Sequence, residues 1–507
     1  MNRKPLTILG LIFLLTGLSC TRSTQGSQPW KPVAGKEVES IAVSTPQEPG
    51  FAPPRRAPGD PILTPTPDPP RVLPTLRQEN ETYIIRRNDT LGLIAQRYGV
   101  SLGKLIETNN ITNPDLVEVG QVLTIPPGEP LPPGPGFKVI PDSELIYSPG
   151  TANFDVGAFF RQYPGYLSRY TEEINDRTYD AEAVLDRVAK EYSVNPRLLL
   201  AILEYRSGWI TNPNPSDESR DYPLLYSDPR RKGLYLQLSW AANNLNRGYY
   251  LWQVEGVSAW VLQDGSIIPI NPTLNAGTAG VQHFFSLLYN YQDWQQAVNE
   301  LGLFATYNTL FGYPFDYAIE PIRPPGLQQP MFQLPFEDGQ VWSFTGGPHG
   351  GWADGSAWAA LDFAPPGEPL GCVINEAWVT AIADGLIVRS DLGSIVQDLD
   401  GDGLEQTGWT ILYLHMDSYE RVRPGTYVRA GERLGHPSCE GGVSNGTHLH
   451  LARRYNGEWI SADGSIPFVL DGWVSQGDGV EYNGFLVKDG ASVEAWAERR
   501  SENQISR

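Results

Sequence analysis

A chain of 507 residues with 58 acidic and 38 basic side chains carries a formal net charge of −20. That balance excludes a nucleic-acid binder built on a basic face, and the length is that of three or four domains rather than one.

Residues 2–20 read as an export signal. Arg3 and Lys4 supply the charged start, residues 6–18 are apolar, and the run is too short to span a bilayer. It ends in Gly17-Leu18-Ser19-Cys20. This ending resembles a bacterial lipoprotein signal, which implies lipidation of Cys20 and a membrane anchor. The alternative is ordinary cleavage nearby with loss of Cys20. Residues 21–80 follow as a proline-rich linker, with Pro65, Pro67, Pro69 and Pro70 crowded together. Such a stretch forms a semi-extended spacer with a reach on the order of 100 Å.

Residues 81–127 have the pattern of a small βααβ unit. Tyr83-Ile84-Ile85 reads as a strand and Asn88-Asp89-Thr90 as a helix cap. Leu91, Ile94, Ala95 and Tyr98 share a helical face, Leu102, Leu105 and Ile106 mark a second helix, and residues 122–126 close the unit as a strand. The unit resembles a LysM module, which implies binding of N-acetylglucosamine glycans such as peptidoglycan. In that family the groove lies between the loop of Asp89, Thr90 and Leu91 and the loop from Ile111 to Asp115.

A second Pro/Gly linker occupies residues 128–141. Residues 142–320 are then expected to be mostly α. Ala181, Val184, Leu185 and Val188 form one amphipathic face, Asn195-Pro196 is a helix start, and residues 198–203 read as a buried helix. The segment Glu204-Tyr205-Arg206-Ser207-Gly208-Trp209 resembles the start of a lysozyme-like transglycosylase domain. That family has its catalytic Glu where this chain has Arg206, and a guanidinium cannot act as a general acid near neutral pH. The domain is therefore expected to bind glycan or space the ends, not to cleave sugar.

A third linker, 321–330, leads to residues 331–490, with 491–507 as a tail. Strand signals at residues 379–382, 386–389, 410–415 and 427–430 predict an all-β, antiparallel domain. Four of the six His of the chain fall at three places here: Gly-Gly-Pro-His349, Leu-Tyr-Leu-His415 and His448-Leu449-His450. His448 and His450 are two apart in a strand-like run and so share a face. Asp362 ends an apolar run, 13 residues after His349.

This stretch resembles the M23 family of zinc endopeptidases that cut peptidoglycan cross-links, in its β-lytic subgroup. The resemblance implies Zn2+ held by His349, Asp362 and His450, with His448 as general base and His415 stabilising the oxyanion. The alternative, a closed structural zinc site, leans on Cys and on four protein ligands. Cys372 and Cys439 form an even pair in an exported chain, which reads as a disulfide.

Asp398, Asp400 and Asp402, followed by Gly403, resemble a calcium loop. Trp409 stands where the loop's last Glu belongs, so a Ca2+-stiffened insert and an acidic surface turn both remain open. His283 and His436 are read as structural. The chain as a whole reads as an extracytoplasmic, wall-associated enzyme, secreted or lipid-anchored. It would meet glycan strands through the LysM module and peptides through the C-terminal domain. A non-enzymatic wall binder or activator of another wall hydrolase is the second reading.

Overall fold

The computed structural model describes residues 65, 67–74, 78–86, 89–114, 116–127, 131–367 and 371–507. The export signal, Cys20, most of the first linker and Asp115 lie outside the described residues.

The small N-terminal unit has the expected order. A strand at Glu81–Ile84 pairs antiparallel with Val122–Ile125, and helices Leu91–Arg97 and Leu102–Thr108 lie between them. Its core gathers Tyr83, Leu91, Ile94, Leu105, Leu123 and Ile125. Ser101 caps the second helix by accepting from Lys104 N, and Asn109 closes its end.

The middle region is built on helices α1 (Ala181–Tyr192), α2 (Pro196–Ser207), α3 (Leu234–Gln253) and α4 (Ala276–Ser286), among shorter ones. Asp180 caps α1, and Asn195 with Pro196 starts α2. Two short hairpins, Thr171–Ile174 with Arg177–Asp180 and Ala259–Val261 with Ile267–Pro269, interrupt the expected helical pattern.

The C-terminal region is a nine-stranded antiparallel sheet. Its strands are β1 (Val341–His349), β2 (Ala360–Ala364), β3 (Gly385–Asp391), β4 (Ser394–Asp398), β5 (Trp409–Leu414), β6 (Tyr427–Val428), β7 (Leu449–Tyr455), β8 (Glu458–Trp459) and β9 (Gln504–Ser506). The order is β6-β3-β4-β5-β7-β2-β1-β9, with β8 paired to β7. The stretch read as a tail therefore supplies the edge strand β9.

The sheet has two differently used faces, because side chains alternate along each strand. Leu361, Phe363, Ile411, Tyr413, Leu449 and Leu451 fill a core on one side. On the other side Ala360, Val396, Leu412, Leu414, Ala452 and Trp459 belong to the same core as the middle helices. Burying a leucine such as Leu412 or Leu414 is worth about 1.5–3 kcal/mol relative to exposing it, so the middle region and the sheet stabilise each other.

The linkers are docked rather than free along their described parts. Asp68 N and Arg71 N donate to Thr273 O and Pro272 O at 3.0 Å each, and the Arg71 guanidinium donates to Trp252 O at 2.9 Å. On the far side of the small unit, Leu131 N donates to Ile267 O at 2.7 Å and Gly134 N to Pro269 O at 2.9 Å. The small unit thus hangs from the middle region by two legs. Composition shows that a proline-rich stretch does not continue as a helix, but not that its remaining N–H groups find carbonyls of the middle region to bond. No helix among the described residues is long and apolar enough to cross a membrane.

Candidate metal centre

The register of the sheet puts the site together. His450 on β7 lies opposite Asp362 on β2, and Gly346 on β1 lies opposite Asp362 on its other side. Asp362 sits in mid-strand, not at a strand end as its proline-rich neighbour suggested. Gly346 is glycine for a local reason: a Cβ there would come within 2.6 Å of the Asp362 carboxylate. Two register shifts in β1 then swing His349 into the same space. His415 follows β5 directly with φ +64°, a left-handed backbone rare for a non-glycine residue and common at functional sites. His448 joins through an isolated bridge to Ser438.

Three ligand-type atoms form a tight triangle. His349 Nε2 and His450 Nδ1 are 3.0 Å apart, and they lie 3.2 and 3.3 Å from Asp362 Oδ1. Each imidazole is oriented by a backbone carbonyl on its other nitrogen. His349 Nδ1 donates to Gly347 O at 2.8 Å, and His450 Nε2 donates to Gly351 O at 3.1 Å. A carbonyl can only accept, so these nitrogens carry the protons and the bare lone pairs face one another. Asp362 Oδ1 is buried with no hydrogen-bond donor aimed at it. Three acceptors converging without a donor require a cation, and tetrahedral zinc with its usual bond lengths has ligand edges of about 3.3 Å. The residues present fit the metal.

The electrostatics agree. Burial alone would raise the Asp362 carboxyl, but the rings of His349 and His448 hold it well below the usual carboxylate range. Burial alone would depress His349, yet Asp362 raises it above the ordinary imidazole value, because a proton there takes the place of the missing positive charge. His450 is lowered, chiefly by burial.

The two remaining histidines flank the triangle. His415 Nδ1 donates to Glu440 O and His448 Nδ1 to Gly446 O, both at 2.8 Å, so each ring presents a bare Nε2. Their ring centroids are 4.5 Å apart, and His448 Nε2 is 3.7 Å from Asp362 Oδ1. Burial pushes His415 down to about 3. The Cys372–Cys439 disulfide ties together the loops beside them. Tyr482, for which the sequence offered no signal, stacks on His349 with centroids 4.2 Å apart.

The comparisons with known proteins fall on these same regions. Residues 366–462 match Peptidase family M23, residues 83–126 the LysM domain, and residues 138–323 the LasA N-terminal domain. The chain carries an M23 peptidase domain. The matched stretch holds His415, His448 and His450 but begins after His349 and Asp362, whose membership in the site rests on geometry.

Protease LasA of Pseudomonas aeruginosa is 26% identical over 352 residues, spanning 64% of this chain and 75% of that protein. N-acetylmuramoyl-L-alanine amidase XlyA of Bacillus subtilis is 46% identical over 46 residues, 9% of this chain and 16% of its own length. Among solved structures, the deep-sea M23 metalloprotease pseudoalterin matches at 25% identity with a TM-score of 0.29, over 35% of this chain and 99% of its own.

The other residues singled out in the sequence have different fates. Leu91 is core, so its side chain offers no surface to a glycan. Asp89 Oδ2 accepts from Tyr83 OH and Arg86 N at 2.6 and 2.7 Å, and Thr90 Oγ1 accepts from Leu93 N at 3.2 Å, so both hold the turn. Ile111 is half-buried against the core of that unit. Asp398, Asp400 and Asp402 bring carboxylate oxygens within 4.8 Å of one another. His283 is buried, its Nδ1 donating to Asn244 O, and burial pushes it down to about 3. His436 donates to Ala377 O at 3.0 Å against the Trp378 ring.

Proposed function

We propose that this chain is a cell-wall-targeted zinc metalloendopeptidase, hydrolysing peptide bonds in peptidoglycan stem peptides or cross-bridges, with glycyl bonds as preferred targets. The observation that carries the reading is the triangle of bare acceptors on His349, Asp362 and His450. These are the residues that would hold the metal. Two imidazoles and one carboxylate leave a coordination position open, as hydrolytic zinc sites do. When bound, zinc supplies Lewis acidity and brings the pKa of water toward ~7.

The chain's own groups divide the remaining work. His448 is the proposed general base: Gly446 O fixes its tautomer, and its bare Nε2 faces the carboxylate side of the centre. His415 is fixed likewise by Glu440 O and is held neutral by burial. Its Nε2 becomes a donor to a developing oxyanion only after taking up a proton, so its sequence-assigned role requires proton transfer within the pair. The LysM unit is proposed to hold glycan strands near the sheet. Ca2+ between Asp398, Asp400 and Asp402 is a further proposal, tested by thermal unfolding with and without calcium. Lipidation of Cys20 is another, tested by mass spectrometry of the N-terminal peptide from the membrane fraction, where an unmodified peptide would remove it.

The deciding experiment digests purified peptidoglycan with wild type and His450→Ala and reads released peptides by mass spectrometry, alongside zinc content. The expected result is stem-peptide or bridge fragments and stoichiometric zinc from the wild type alone. Equal digestion by both proteins would remove the metal site from the mechanism.

A further inference from the structure

The loop of residues 350–358 leaves the centre directly after His349. Its Gly351 carbonyl takes the Nε2–H of His450 and so decides which nitrogen of that ring stays bare. The loop is closed on itself by Gly351 N to Ala357 O at 3.0 Å and Trp352 N to Ser356 Oγ at 2.9 Å. Its tip is gripped from outside the sheet. Asn243 on α3 accepts from Gly355 N at 2.9 Å and donates to Asp354 Oδ1 at 2.7 Å, and Arg247 pairs with Asp354 Oδ2 at 2.6 Å.

The fit at the tip is close. A Cβ on Gly355 would lie 1.9 Å from the Asn243 carbonyl oxygen. The other side of Gly351 is held as well, since a Cβ there would strike the Trp459 ring at 2.6 Å. Trp459 N donates to Tyr250 OH on α3 at 2.9 Å, and its indole donates to Tyr192 O at 3.4 Å.

We propose that Asn243 and Arg247 of the middle region are positioning residues for the metal centre, setting the orientation of His450 through the loop of residues 350–358. The inference rests on the metal reading above and deepens it. Partners that orient a metal ligand through its distal nitrogen typically govern affinity by about 10–100-fold. The middle region is then a working part of the peptidase, in addition to a cover for one face of its sheet.

The test uses the full chain. Zinc affinity is measured by competition with a chelator, and the visible spectrum of the Co2+-loaded protein reports ligand geometry. Unfolding of the metal-free protein serves as the stability control. Arg247→Ala and Gly355→Ala are expected to lower zinc affinity by about tenfold and to alter the cobalt spectrum. The paired reversal Arg247→Asp with Asp354→Arg is expected to restore part of both.

Unchanged affinity and spectrum in folded variants would overturn the proposal, as would tighter binding. If Gly355→Ala fails to fold, Asp354→Asn, which keeps the shape and removes the charge, decides in its place. Failure of the wild type to bind zinc at all would instead strike the metal reading, and this inference with it.

Discussion

Two segments of this chain read in sequence like catalytic parts of wall hydrolases. Residues 366–462 match the M23 peptidase family, whereas α2 lies in residues 138–323, which match the LasA N-terminal domain instead, and the two differ in what their polar atoms are doing. Around His349, Asp362 and His450 the ligand-type atoms converge with no donor between them. In α2 the corresponding groups are all engaged. Glu204 Oε2 accepts from Ile210 N at 2.9 Å and Thr211 N at 3.2 Å, clasping the turn after Gly208. Arg206 donates to Leu224 O at 2.8 Å and to the Tyr289 hydroxyl, with its guanidinium over the Tyr289 ring. Groups held by a turn and by packing in this way are fixed in structural roles and do not converge on a shared open space. The two segments therefore differ in their uncommitted polar atoms as well as in the families they match.

The largest effect expected from that contrast is at the triangle itself. Asp362→Ala or His450→Ala should abolish both zinc binding and release of wall peptides, measured by metal analysis and mass spectrometry of digests. Retained activity in either variant would equate the triangle with α2. Next in size, His448→Ala should keep zinc but lower turnover by about 10²–10⁴-fold, the range of a general base. Zinc loss in that variant would make His448 a ligand and redraw the site.

The pH dependence follows from His349. Its folded-state pKa is raised, so in the metal-free protein it binds a proton and contributes stability at low pH that is lost as pH rises through that value. Zinc must displace the same proton. Binding should therefore weaken as pH falls from neutral toward acid, with proton release detectable by calorimetry in buffers of different ionisation enthalpy. Zinc affinity that stayed flat across this range would separate His349 from the metal.

On the other side of the comparison, Glu204→Gln should leave wall digestion unchanged and yield no anhydro sugar ends in either protein. It should cost about 1 kcal/mol of stability through weaker hydrogen bonds to the turn. An effect on digestion larger than on unfolding would return α2 to the catalytic account.

How much of this was legible depends on how local each signal is. His349, Asp362, His415, His448 and His450 could be picked out because their spacing and residue types are unusual, and strand alternation alone places His448 and His450 on one face. The helix start at Asn195 was readable because caps are local chemistry, whereas the Asp180 cap was not singled out. The partnership of the sheet with α3 was not. Leu412, Leu414 and Ala452 look like ordinary strand residues, and Asn243 and Arg247 look like a solvated helix face, until the fold brings them together. The docked legs at residues 68–71 and 131–134 are held largely by backbone N–H groups, about which side-chain pattern carries little information. Tyr482 lies in an irregular stretch without period or motif.

The smallest effect concerns the acidic loop, which stands between the two cases. Some of its carboxylate oxygens are occupied: Asp398 accepts from Gly403 N at 2.9 Å, and Asp402 from Leu404 N at 2.8 Å. Yet burial, with help from Asp400 and Asp402, raises Asp398 to about 7. A carboxyl raised above its unfolded value gives stability that is present at low pH and lost as pH climbs through the folded pKa. Without a cation, then, stability should fall between about pH 4 and about pH 7. Calcium held by the three aspartates would remove that decline, raising Tm by about 2–4 °C at mildly alkaline pH and by little in acid. Thermal unfolding with and without calcium at both pH values checks this, with Asp400→Asn as the paired variant. A calcium response equal at both, or kept in that variant, would leave the loop as an acidic turn whose oxygens, like those of Glu204, are occupied by the backbone.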